Sequence, residues 1–199
     1  WEIPKLTFKS YPCGSISHPY MDCALTLKRR HAIAPDEVEE IVCRTAEGPV
    51  HRLWEPLEQK QRPPTSYAAK FSLPFSIAVI LVRGKAGLEE FSDQAILDPA
   101  ILSSAKKVRY QLDPTIDYPR HFSGHVKIRL ADGTVLEENQ PHPRGGLESP
   151  LPPGEIEDKF RANAKLALSE NMVEAIIATV RRLEELPKIE KLSSLLSMH

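Results

Sequence analysis

The sequence predicts an α+β domain: an antiparallel sheet of three to four strands with helices packed on one face, followed by C-terminal helices. Three observations carry this reading. Residues 124–140 alternate like a β-hairpin, with Val126, Ile128 and Leu130 against Lys127 and Arg129, and Asp132-Gly133 supplies the tight turn. Two further segments, Ile41-Val42-Cys43-Arg44-Thr45 and residues 107–113, are rich in β-branched or alternating apolar residues. Finally, Val173, Ile176, Ile177, Val180 and Leu183 fall at helical spacing and give one apolar stripe.

Taken in order, the chain first shows an irregular, turn-rich stretch from Phe8 to Pro19. Ser17 is a suitable N-cap, and Pro19 fits a first helical turn, where a missing N–H costs nothing. A helix start of this kind favours an anion. Lys9 on the approach and His18 beside the cap are candidates to hold a carboxylate and move a proton. The same residues also read as a plain loop entering a helix, with Lys9 and His18 solvated. The helix runs to about His31, burying Met21, Ala24 and Leu25. Its terminal Lys28-Arg29-Arg30-His31 complements the helix dipole and reads as a solvated end rather than a phosphate site.

After the turn at Ala34-Pro35-Asp36-Glu37 comes the strand over 41–45, then an irregular stretch over 48–64 punctuated by Pro63-Pro64. Thr65 or Ser66 caps the helical segment that contains Ala69-Lys70-Phe71-Ser72-Leu73-Pro74-Phe75 and continues apolar to Val82. Its internal proline predicts a kink or freed carbonyls, with Lys70 and Ser72 as the polar members. Asp98-Pro99 starts a short helix, residues 107–113 form a half-buried strand, and the hairpin follows.

His142-Pro143-Arg144-Gly145-Gly146 is next. Its glycines let the backbone approach something closely, and Arg144 can bind a carboxylate bidentately. Alternatively, the loop is simply pinned by proline with its basic residue in solvent. The helix from Glu155 begins with acidic residues. Ser169 caps the last long helix, Pro187 stops it, and Leu192, Leu195 and Leu196 form an apolar tail that needs a partner surface. The domain reading is therefore 1–168 for the α+β body and 169–199 for the terminal helix and tail.

Composition narrows the function. At 199 residues the chain fits one domain with an appendage. Lys plus Arg number 26 and Asp plus Glu 27, so no charge excess points to nucleic acid or to a membrane surface. The longest apolar run, near residues 77–82, is too short to span a bilayer. Three widely spaced cysteines, Cys13, Cys23 and Cys43, contain no CxxC pair, so neither a zinc nor a redox motif is expected, and a reducing cytoplasm fits. The start at Trp1, without Met, suggests a cut piece or processed subunit.

Lys9, Tyr11-Pro12, Cys13 and His18-Pro19, the Ala69–Phe75 segment, and His142-Pro143-Arg144-Gly145-Gly146 with Ser149-Pro150-Leu151 occur in the order seen in one family. Together they resemble the C-terminal domain of the MmgE/PrpD family, which includes 2-methylcitrate dehydratase, cis-aconitate decarboxylase and iminodisuccinate epimerase. The resemblance implies a metal-independent lyase without cofactor, 2-methylcitrate dehydratase-like, acting on a small di- or tricarboxylic acid. Lys9 and His18 would be catalytic, and Lys70, Ser72, Arg144 and Gly145 would bind substrate. It also implies a larger helical N-terminal domain, in the same or a companion chain, onto which the C-terminal helices dock, and a homodimer when complete. The isolated chain would then hold half an active site and be inactive. Phe75 stands where the family usually has Tyr, and Gly14 stands where the decarboxylase carries His, which argues against itaconate-type chemistry. An epimerase on the same scaffold, or a non-catalytic docking domain, are the competing readings.

Overall fold

Four strands form one sheet in the order β2-β1-β3-β4: β1 Val38–Thr45, β2 Val108–Leu112, β3 Gly124–Leu130 and β4 Val135–Gln140. The structure, a computed structural model, describes Glu2 and residues 6–197. Trp1 and the last two residues of the 169–199 tail lie outside them. Every expected strand is present. The β3–β4 hairpin turns at Gly133, whose φ of 87° suits glycine, while Thr134 N–H bonds the Asp132 side chain at 2.8 Å.

The sheet is mixed rather than wholly antiparallel. β3 pairs antiparallel with β1 and β4, but β1 and β2 run parallel, with Ile41 opposite Val108 and Thr45 opposite Leu112. The physical reason lies in the connection. Between β1 and β2 the chain passes through helices α2 Val50–Leu53, α3 Leu57–Gln61, α4 Ser66–Ala69, α5 Leu73–Arg83 and α6 Pro99–Ala105. A crossover of that size returns the chain to the end where it started, and alternation within a strand carries no information about direction.

Helix α1, His18–His31, packs on β3, β4 and α5. Core residues come from α1 (Met21, Cys23, Ala24, Leu27), from the sheet (Ile41, Cys43, Val108, Val126, Ile128) and from α5 (Leu73, Phe75, Ile77, Ile80). The tightest approach is at Gly124. A Cβ there would come 2.3 Å from the Pro19 carbonyl carbon and 2.5 Å from Tyr20 N, so only glycine lets the start of β3 touch the start of α1.

Three local expectations change. Residues 48–64 are not irregular: α2 and α3 are single turns, too short for a period to register, anchored by buried Leu53, Trp54 and Gln61. Gln61 Nε2 donates to Val108 O at 3.0 Å. Pro74 does not kink one helix. The chain breaks between α4 and α5, Ser72 caps α5, and Pro74 sits in its first turn. Ser17 holds the cap position of α1, but its side chain makes no capping bond, because the 3-10 turn Ser15–Ser17 leads straight into the helix. Thr65, Asp98 and Ser169 cap as expected, accepting from Ala68, Ala100 and Met172 N–H.

The described chain forms two compact units, Trp1–Pro150 and Leu151–His199. The second contains α7 Pro153–Ala164, α8 Glu170–Arg181 and α9 Glu190–Leu196. Arg161 bonds Glu174 and Arg181 bonds Glu157, each at 2.6 Å, tying α7 to α8. Along the expected stripe Val173, Ile176 and Ile177 are buried, whereas Val180 and Leu183 are 50% and 43% exposed.

Candidate functional site

The stretch from Lys9 to His18 is built as a turn resting on the first turn of α1. Lys9 is an exposed residue, but its ammonium turns back and donates to Cys13 O at 3.0 Å in a partly buried contact. Gly14 N–H donates to Lys70 O at 2.9 Å, which brings the end of α4 against this turn. Cys13 is buried and burial pushes its thiol up to about 12, while the positive charges of Lys9 and Lys70 pull the other way. Lys9 thus meets this turn through its ammonium, and Lys70 through its backbone carbonyl.

Tyr11 and His18 are buried and meet edge to face, with ring centroids 5.3 Å apart. The Tyr11 hydroxyl donates to Asp22 Oδ1 at 2.7 Å. Burial, and then the Asp22 carboxylate, raise the Tyr11 phenol well above its usual range, with Arg144 opposing. Asp22 is 3% exposed and lies one helical turn after His18. Arg144 Nη1 reaches Asp22 Oδ1 at 3.4 Å, with 26% of the Arg144 side chain still open to solvent.

The loop that carries Arg144 is fixed through Gly145. Its φ is 93°, its carbonyl accepts from Phe8 N–H at 2.9 Å, and its N–H donates to Ser149 O at 2.7 Å. A Cβ there would lie 2.6 Å from Phe8 O. The close approach expected of this glycine is thus made to the chain's own segment ahead of Lys9. That contact puts the Arg144 loop beside the Lys9 turn.

Ser72 has a different position from the other candidates. It is fully buried, its hydroxyl donates to Lys60 O, and it accepts from Phe75 N–H at 3.1 Å. Those bonds engage the hydroxyl in capping α5, so Ser72 shapes the region through that helix. Phe75 is also fully buried, against Phe91 at 6.1 Å. Among the described residues, no group of three or more His, Cys, Asp or Glu is placed to hold a metal ion, and no helix is long and apolar enough to cross a membrane.

The structure therefore gathers Lys9, His18, Lys70, Arg144 and Gly145 around one turn and one helix start. It adds two residues that sequence reasoning passed over as site members, Tyr11 and Asp22. Asp22 carried a signal: it stands four residues after His18, on the same face of a helix whose neighbours there are apolar. Its partner Arg144, 122 residues away, left no such trace.

Compared with known families, residues 11–185 match the MmgE/PrpD C-terminal domain. The chain belongs to the MmgE/PrpD family. The match begins two residues after Lys9, and it spans Tyr11, His18, Asp22, Lys70 and Arg144. Among curated relatives, the cis-aconitate decarboxylase of Mus musculus is 29% identical over 96% of this chain and 39% of its own length. The cis-aconitate decarboxylase of Homo sapiens is 26% identical over 96% of the chain and 40% of its own length. The 2-methylcitrate dehydratase-like protein oryR of Aspergillus oryzae is 27% identical over 98% and 40%. This MmgE/PrpD chain spans about two-fifths of the length of the curated relatives it matches.

Proposed function

We propose that the whole protein is a lyase acting on a small di- or tricarboxylic acid, with 2-methylcitrate dehydratase-like elimination of water as the leading reaction. The observation that carries this reading is that the Lys9 ammonium, the Arg144 loop and the end of α4 at Lys70 meet around the turn that ends at His18. A substrate with two or three carboxylates needs several fixed cations at close spacing. Lys9 provides the proton-transfer or charge-stabilising group and His18 supports it. Arg144 offers its open side to a carboxylate, and Lys70 adds positive charge. Acid–base and cationic side chains carry the reaction, the metal-free chemistry implied by the family resemblance.

The remaining groups of the site come from a helical domain in the same or a companion chain, working as a homodimer in the cytoplasm. The half-open α8 stripe supports such a partner surface. The isolated chain is accordingly inactive.

The test uses the full-length protein with 2-methylcitrate and cis-aconitate as substrates. Turnover of one of them is expected, and Lys9→Ala should lower kcat/KM by at least about a hundredfold, the lower range for a positioned proton-transfer or electrostatic group. Lys9→Arg should not restore full activity, since a guanidinium does not readily release a proton. Unchanged kinetics in Lys9→Ala, or no turnover of either acid by the full-length protein, would overturn the reading.

A further inference from the structure

We infer that Asp22 is the positioning residue of this site: one buried carboxylate holds the Lys9 turn and the Arg144 loop in register with His18. The functional part of this inference rests on the lyase reading above, whereas the geometry stands without it. Asp22 is 3% exposed, and a carboxylate so enclosed is costly unless it is paired and hydrogen-bonded. Its Oδ1 accepts from the Tyr11 hydroxyl at 2.7 Å and faces Arg144 Nη1 at 3.4 Å. These partners come from two separate segments. Tyr11 lies inside the turn closed by the Lys9–Cys13 bond, and Arg144 lies in the loop fixed to Phe8 through Gly145.

The shared oxygen therefore adds a second tie between the Lys9 turn and the Arg144 loop, beside the Phe8–Gly145 backbone contact. It sits on α1 one turn beyond His18, so all three candidate groups are referred to one rigid element. Stability alone does not call for this arrangement, since an apolar side chain of similar volume commonly serves a core as well as a buried ion pair does. The charge is useful where two separate chain segments must meet at a set spacing. Asp22 itself acts through Tyr11 and Arg144 rather than on substrate.

The experiment has one arm that needs no substrate. Cys13 lies in the held turn and is 3% exposed, while Cys23 on α1 and Cys43 on β1 are fully buried. Native full-length protein is treated with iodoacetamide, and each cysteine's labelling rate is read by peptide mass. Asp22→Asn should raise the Cys13 rate at least about tenfold while leaving Cys23 and Cys43 unchanged. Tyr11→Phe, a gentler change that keeps the ring in the core, should act in the same direction. Asp22→Asn combined with Arg144→Gln should give no larger effect than the stronger single change, because coupled partners are not additive. An unchanged Cys13 rate in both single variants, or a parallel rise at all three cysteines, overturns the inference. In the second arm, kcat/KM in Asp22→Asn should fall at least about tenfold, a coupling of the size seen within contacting networks. Selective Cys13 labelling with undiminished activity also overturns it. If wild-type protein turns over neither acid, the lyase reading fails, and labelling alone decides whether Asp22 holds the turn.

Discussion

Replacing Gly124 by alanine tests the contact on which the site is built. The new Cβ would lie 2.3 Å from the Pro19 carbonyl carbon, 2.5 Å from its oxygen and 2.5 Å from Tyr20 N. All three are backbone atoms, so no side chain can turn away. Ordinary carbon contacts lie at about 3.5–4.0 Å, so β3 and the start of α1 must part by roughly 1 Å. Overpacking of this kind costs about 3 kcal/mol at the upper end of its range. The loss of glycine entropy in the unfolded chain returns about 0.4–1 kcal/mol. The net destabilisation is therefore about 2 kcal/mol or more, and a domain of this size should melt about 4–8 °C lower. Because His18 begins the displaced helix, activity should fall further than stability does. The assay is thermal unfolding by circular dichroism, with Gly14→Ala as control. Gly14 has an ordinary φ of −59°, and its Cβ would meet Lys70 O at 3.5 Å, so that variant should match or exceed wild type. A Gly124→Ala protein that melts together with Gly14→Ala would refute the argument.

Ser72→Ala removes the α5 cap and leaves Lys60 O without its donor, so it should cost about 1–3 kcal/mol and leave KM unchanged. A raised KM at unchanged Tm would instead put the hydroxyl on substrate. Glu137 is held below the usual carboxylate range, mainly by its bond to His125 and further by Lys127 and Arg44. A depressed carboxylate contributes stability above its unfolded value and loses it as pH falls through the folded one. Glu137→Gln should therefore flatten the acid limb of a stability–pH curve below about pH 4.5, by less than about 1 kcal/mol because the group is half exposed; an unaltered acid limb would count against the pairing. Turnover of 2-methylcitrate or cis-aconitate by the purified 199-residue chain alone would contradict the half-site reading.

Much of the fold is legible in the sequence because its signals are local. Strand alternation, the Asp132-Gly133 turn, and the caps at Thr65, Asp98 and Ser169 each act within a few residues. What escapes is set at long range. The parallel pairing of β1 with β2 depends on where five intervening helices carry the chain. The break between Lys70 and Ser72 reflects Ser72 finding Lys60 O, a contact no periodicity encodes. In the candidate site, Lys9, His18 and Arg144 stand out by type and by neighbouring prolines. Asp22 shows only as an acid one turn after His18, and nothing local marks its pairing with Tyr11 and Arg144 on other segments.

The central place of β1 has a kinetic consequence. Ile41 faces Val108 on one side and Ile128 on the other, whereas Ile128 faces Leu136 across a hairpin. Loop-closure entropy grows with the logarithm of loop length, so roughly tenfold longer closures cost about 2 kcal/mol more. The β3–β4 hairpin can form early, microseconds after collapse. Strand β1 has no early neighbour and must wait until both distant segments arrive. During synthesis, residues 38–45 therefore emerge with both edges open well before β3 exists, and the start of α1 at Pro19 and Tyr20 has no Gly124 to pack against until the hairpin docks.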